Sequence, residues 1–277
     1  MKIYILCNDV SHDEEMRAEH GFSCLIAYNG ARLLFDMGDT ALFMENANNL
    51  GLDAGMVDYA AISHAHYDHG GGLLHLAHEH REFELLLHRE FFTPKYWDKG
   101  DTYRYAGNNF RVEELRRLRI NFSLINTDLY ALEKMRGGYL LSSFVRNCPF
   151  ERVAAPARAH IGGEFVQDVF AEEMAFAADT KEGLVIVTGC SHNGVVNMIE
   201  HARARLNRPV HAVIGGTHLV DADEKQLEGT IAYLNNHPEI KRFIPLHCTG
   251  EAAQKRLEKE CGAYESAGAG SVLAFED

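Results

Sequence analysis

Ser63-His64-Ala65-His66-Tyr67-Asp68-His69-Gly70-Gly71-Gly72 decides how this 277-residue chain is read. Three histidines and a carboxylate fall within six residues, and a glycine run follows. Imidazole and carboxylate together suit zinc, iron or manganese. Asp58 to Ser63 reads as a short buried strand. If the chain stays extended past it, His64 and His66 share a face, because side chains two apart point the same way. The chain then turns, and Asp68 and His69 can face a second ion beside the first. Gly70 to Gly72 let the backbone pass close to the site and open the following helix. The N-terminal N–H groups of that helix point back at the ions. A surface cluster of histidines is the bland alternative; four candidate ligands at one strand-to-turn junction argue against it.

Further along, the same scheme recurs. The apolar run Leu184 to Thr188 ends in Gly189-Cys190-Ser191-His192-Asn193-Gly194. Val210 to Ile214 ends in Gly215-Gly216-Thr217-His218, and Phe243 to Leu246 ends in His247-Cys248-Thr249-Gly250. Each histidine follows a short apolar strand and stands before a helical stretch: residues 195–206, a helix capped by Asp223 that runs to about 236, and residues 251–261. Ligands at the same ends of neighbouring strands converge. The backbone N–H groups of Thr249 and Gly250, opening a helix, offer a place for a phosphate or another anion. Neighbours in an extended chain face opposite sides, so Cys248 is expected to pack rather than coordinate, with a coordinating cysteine as the alternative.

The first half reads as strands at Lys2 to Cys7, Ser23 to Tyr28 and Arg32 to Asp36, the last two joined by Asn29-Gly30, a strong hairpin signal. A charged loop spans Ser11 to His20. Asp39 or Thr40 caps a helix to about Leu50, and Gly51 suits the position after its end. Beyond the histidine run come a helix from Leu73 to His80 and a strand from Phe83 to His88. Residues 89–162 are the least regular part. Tyr96, Trp97, Tyr103, Tyr105 and Phe110 are interleaved there with Lys95, Lys99, Arg104 and Arg111, and Val112 to Arg119 is a short basic helix. This stretch is either a lid whose rings and cations hold a ring-bearing phosphate or an aromatic mini-core beside a solvated helix. His12, His20, His201 and His237 look like surface positions.

The run from His64 to His69 resembles the His-x-His-x-Asp-His signature of the metallo-β-lactamase superfamily. The resemblance implies an α/β fold, the αββα sandwich, as one domain over 1–277 with an inserted lid or substrate region at about 89–162. His192 matches the third motif and His247 the fifth. His64, His66 and His192 would then hold one metal, and Asp68, His69 and His247 a second. Asp36 matches an aspartate that supports such sites by hydrogen bonding rather than ligation. Where dinuclear members carry a bridging aspartate, this chain has Thr217-His218; His218 is then a ligand or a hydrogen-bond donor to substrate. The strings around His192, His218 and His247 together resemble the branch of 7,8-dihydropterin-6-methyl-4-(β-D-ribofuranosyl)aminobenzene-5′-phosphate synthase-like proteins.

The resemblance implies the activity of a metal-dependent hydrolase using one or two zinc ions, with iron or manganese as alternatives. A metal-bound hydroxide would attack a small, phosphorylated or pterin-like substrate, with Asp68 accepting a proton if it is not itself a ligand and His218 facing the site. One alternative is a synthase or transferase joining a dihydropterin to a ribofuranosyl-aminobenzene phosphate. Another is a non-catalytic metal-binding module. An oxygen-reducing di-iron reading lacks its Glu, because His66 stands there.

The formal net charge of −13 argues against nucleic acid as a partner, leaving a small anionic substrate held by local positive groups. No apolar run approaches about 18 residues, so no membrane partner is expected. Six scattered cysteines without a Cys-x-x-Cys pair suit a reducing, cytoplasmic setting. Self-association is left open.

Overall fold

The computed structural model describes residues 1–276; Asp277, the last residue of the expected domain, lies outside the described residues. The chain opens with an antiparallel meander, β1 (Lys2–Cys7), β2 (Ser23–Tyr28) and β3 (Ala31–Phe35). Asn29 and Gly30 both have positive φ, 49° and 82°, as the expected two-residue turn requires. Helix α1 (Leu42–Asn49), strand β4 (Tyr59–Ala61), the helical turn α2 (Tyr67–Gly70), helix α3 (Leu73–Glu79) and strand β5 (Glu84–His88) come after it. Next come β6 (Lys95–Asp98), β7 (Tyr103–Tyr105), α4 (Val112–Arg117), β8 (Asn121–Ile125), β9 (Leu129–Ala131) and β10 (Gly138–Leu141). The second half holds β11 (Ala157–Ile161), β12 (Glu164–Gln167), β13 (Ala175–Thr180), β14 (Gly183–Thr188), α5 (Val195–Leu206) and β15 (Val210–Gly216). It closes with α6 (Glu224–Asn235), β16 (Arg242–Leu246), α7 (Glu251–Glu260) and β17 (Val272–Ala274).

Two large sheets face each other. The first runs β17-β1-β2-β3-β4-β5-β8 and the second β16-β15-β14-β13-β10-β9. Alternation along each strand divides the apolar residues between layers. In the first sheet, Ile26, Leu33, Phe35, Ala61 and Leu86 point into the inter-sheet core. Their neighbours Leu25, Leu34, Ala60, Leu85 and Leu87 point outward, where α1, α3 and α4 cover them. In β14, Val185 and Val187 face the first sheet while Leu184 and Ile186 lie under α5. A strand buried on both faces is the near-continuous apolar run read from the sequence. The result is the expected αββα sandwich.

The expected insertion at about 89–162 is narrower in the fold. β8 extends the first sheet, and β9 and β10 extend the second. What stands apart is a four-stranded sheet, β12-β11-β6-β7, assembled from residues 95–105 and 157–167. Short strands with one polar face carry a weak periodic signal, so their sheet membership is decided by partners far away in sequence. The aromatic run divides between roles: Tyr103 stacks on Phe165 at 3.8 Å and Tyr96 meets it edge-on, Phe110 packs with Phe91 in the core, and Trp97 turns toward the histidines. Lys95 is no free phosphate ligand: its Nζ is buried 2.9 Å from Asp168 and 2.8 Å from Glu172.

Candidate metal centre

His64 and His66 follow β4 and lie on a common side, as the period of two requires. His64 Nε2 is 3.1 Å from His66 Nδ1 and 3.2 Å from His192 Nε2, which arrives from the end of β14. Nitrogens on a tetrahedral zinc with bonds of about 2.0–2.1 Å would sit roughly 3.3 Å apart. The measured separations are close to that spacing, so the triangle has the size a cation would require. Burial, then the neighbouring imidazoles, hold His64 and His192 well below the usual histidine range. Burial pushes His66 down to about 3. All three rings are therefore neutral and open to a metal.

Asp68, His69 and His247 form a second convergent set. Asp68 Oδ2 lies 3.2 Å from His247 Nε2 and 3.8 Å from His69 Nε2. Burial alone would raise the Asp68 carboxyl, but His69 and His247 outweigh it and hold it well below the carboxylate range. His247 is pushed down by burial and lifted further by Asp68 and Asp9, so it ends well above its ordinary value. Asp36 hydrogen-bonds toward both sets. Its Oδ2 lies 2.7 Å from His69 Nδ1 and accepts the Ser63 hydroxyl, whose oxygen is 2.9 Å from His64 Nδ1. His192 is fixed from behind: Glu173 accepts its backbone N–H at 2.7 Å, and Phe170 stacks on the ring at 3.8 Å.

The glycine run works differently from the expectation. Helical geometry begins at Tyr67, so Asp68 and His69 sit within the turn rather than before it. The N–H groups of Gly70, Gly71 and Gly72 are spent on the carbonyls of His66, Tyr67 and Gly38 and do not aim at the ions. Close approach is what needs glycine here, since a Cβ at Gly72 would come within 2.2 Å of the Met37 carbonyl.

Thr249 is fully buried, and its hydroxyl donates to the Leu246 carbonyl, so its side chain is no part of the cleft wall; Gly250 does line it. Cys248, expected to pack away, turns in: residues 247–249 form a tight helical turn with His247 at φ 43°, and alternation no longer applies. Its Sγ accepts the His218 N–H at 3.3 Å. Cys190 also faces the cleft, with Sγ 3.1 Å from His69 Nε2. No alternation marks that position, because Ser191, between Cys190 and His192, is left-handed at φ 60°. Burial pushes the Cys190 thiol well up. His218 faces the cleft, stacked parallel to Trp97 at 6.5 Å, and its ring nitrogens are buried without a hydrogen-bond partner among the described residues.

His20, read as loop and surface, and Asp9, which the sequence reading did not single out, complete the rim. His20 Nε2 is 3.3 Å from Asp68 Oδ2, and its Nδ1 is 3.0 Å from Asp9. Asp9 also holds His247 Nδ1 at 2.6 Å. No periodic signal marks either, because they reach the site from the loop after β1. His201, also read as surface, is buried against Phe144. The cleft itself has a volume of about 240 Å³. Arg104 is exposed on β7, close enough to Tyr67 at the cleft's edge to act on its hydroxyl electrostatically.

Comparison with known proteins agrees with this fold. Residues 16–135 match the family model described as the metallo-beta-lactamase superfamily. A 7,8-dihydropterin-6-methyl-4-(beta-D-ribofuranosyl)-aminobenzene-5'-phosphate synthase of Methanocaldococcus jannaschii is 30% identical, over 99% of this chain and 97% of its own. The crystal structure of Tm1679, described as a metal-dependent hydrolase of the beta-lactamase superfamily, is 30% identical with a TM-score of 0.87 and full coverage of both chains. The Zn(2+)-bound PqqB of Methylobacterium extorquens, 13% identical with a TM-score of 0.59 over 99% of this chain and 100% of its own, shares the fold alone.

Proposed function

Since this chain belongs to the metallo-β-lactamase superfamily, we propose that its cleft is a two-zinc centre that hydrolyses a small anionic substrate. The observation that carries this is the pair of converging sets, His64–His66–His192 and Asp68–His69–His247, joined behind by Asp36. Imidazole, carboxylate and thiol together favour zinc over harder ions. Zinc at such a centre polarises a phosphoryl or carbonyl oxygen and lowers the pKa of water.

The chain's own groups do the rest. Asp68 stays ionised, and where its carboxylate is not itself bound to the ion it can take a proton. His20 Nε2, 3.3 Å away and on an exposed ring, is positioned to carry that proton to solvent. Asp9 keeps His20 oriented and lifts its pKa. Trp97 and His218 form two apolar-faced walls suited to a flat ring, and Arg104 at the edge supplies positive charge for a phosphate. Six unpaired cysteines support a reducing, cytoplasmic setting. Among the described residues, no helix is long and apolar enough to cross a membrane.

A second reading is favoured by one observation: the 30% identical relative that spans 99% of this chain is named a synthase. The same cleft would then activate a leaving group while excluding water. Turnover in isotopically labelled water separates the two. A hydrolase places solvent oxygen in its product, and a synthase places none there. His192→Ala should lower bound zinc and abolish activity; full zinc content by elemental analysis in that variant would contradict the assignment.

A further inference from the structure

Resting on the reading of the cleft as a two-ion centre, we propose that the Cys190 thiolate is the ligand shared by both ions, where dinuclear relatives use a bridging carboxylate. The sulfur is 3.1 Å from His69 Nε2, and it lies within 4.8 Å of ligand atoms of both His64 and His69. His64 belongs to the first set and His69 to the second, so Cys190 stands between them. Asp68 groups with His69 and His247 and serves the second ion. His218 groups with the two cysteines and with neither histidine set. Among the described residues, no carboxylate groups with members of both sets.

The place is built. Cys190 is buried, and the flanking backbone is pinned by the Ser191 hydroxyl, which donates to the Gly216 carbonyl at 2.7 Å. Gly216 lets the chain segment carrying Cys190 pass close by, since a Cβ there would meet the Gly189 carbonyl at 2.2 Å and Cys190 Cα at 3.1 Å, besides Cys248 Sγ at 2.6 Å. Sulfur reaches further than oxygen, with zinc–sulfur bonds of about 2.3 Å. An ion bound there would take the place of the thiol proton, the S–H bond breaking as the sulfur–metal bond forms and the proton leaving to solvent. A soft shared ligand selects zinc against manganese and magnesium.

X-ray absorption at the zinc edge of the loaded wild-type protein tests this. A sulfur shell at about 2.3 Å and two ions per chain are expected. Cys190→Ser, close in shape, should lose that shell and weaken one of the two ions by more than the roughly 10–100-fold that loss of an outer partner costs. Cys248→Ala should keep the shell and both ions. A shell that survives in Cys190→Ser or disappears in Cys248→Ala overturns the proposal. So do two ions bound with nitrogen and oxygen alone, a result that leaves the two-ion reading intact. A wild-type chain that takes up no ion sinks that reading and this one with it. The wild-type spectrum decides even where a variant folds poorly.

Discussion

Ser63 is a residue whose part was invisible in the sequence and is plain in the fold. Its hydroxyl donates to Asp36 and its oxygen meets His64 Nδ1, so it passes the orientation of a buried carboxylate to a ligand ring. Ser63→Ala should leave the fold intact and cost about 10–100-fold in zinc affinity, measured by competition with a chelator; an unchanged affinity would show that Asp36 acts through His69 alone. Lys95 makes the opposite point. A cation in an aromatic run reads as a phosphate ligand, yet it is buried between Asp168 and Glu172. Truncation in Lys95→Ala leaves two buried carboxylates without their cation, so a loss of about 3–5 kcal/mol is expected in urea unfolding. A loss below ~1 kcal/mol, the range of exposed pairs, would mean the pair is solvated.

Among the elements, α5 shows how a helix can be capped from elsewhere. Its N-cap, Gly194, has no side chain and a φ of 94°. Glu151 supplies the acceptors from a distant loop, taking the N–H groups of Val196 at 2.7 Å and Asn197 at 2.8 Å. Burial raises this carboxyl from its ordinary 4.5 to about 7, against the pull of those N–H groups. Between these values the folded chain holds a proton that the unfolded chain has lost. The stability it contributes is therefore complete below 4.5 and lost as pH rises through about 7. Glu151→Gln should narrow the difference in urea midpoint between pH about 5 and pH about 8, and an equal difference in both proteins would refute the assignment. The strand ends carry a related cost. Asp36, Ser191, His218 and His247 all sit at positive φ, 59°, 60°, 49° and 43°. Left-handed backbone at residues other than glycine costs of order 1–3 kcal/mol each and gathers where function holds it in place.

Across the whole molecule, the centre ties the two sheets together. His64, His66, Asp68 and His69 come from the first sheet, and His192 and His247 from the ends of β14 and β16 in the second. Ions bound only by the folded chain should stabilise it by about 4 kcal/mol at a thousandfold excess over Kd. That corresponds to roughly 10 °C in Tm for a domain of this size. Stripping with a chelator should lower Tm by this order and zinc should restore it, as read by scanning calorimetry; a Tm indifferent to both would mean the sets hold no ion. The hairpin at Asn29-Gly30 and the order of the strand-end histidines were set by the sequence alone, because turn chemistry and ligand spacing are local, and the αββα architecture was legible only through the family resemblance those histidines carry. The reach of Asp9 and His20, the inward turn of Cys248, the ion pair that consumes Lys95 and the sharing of residues 89–162 among three sheets were decided only by tertiary structure. Each depends on which surfaces two packed sheets bring within a few ångströms, and no spacing along the chain encodes that distance.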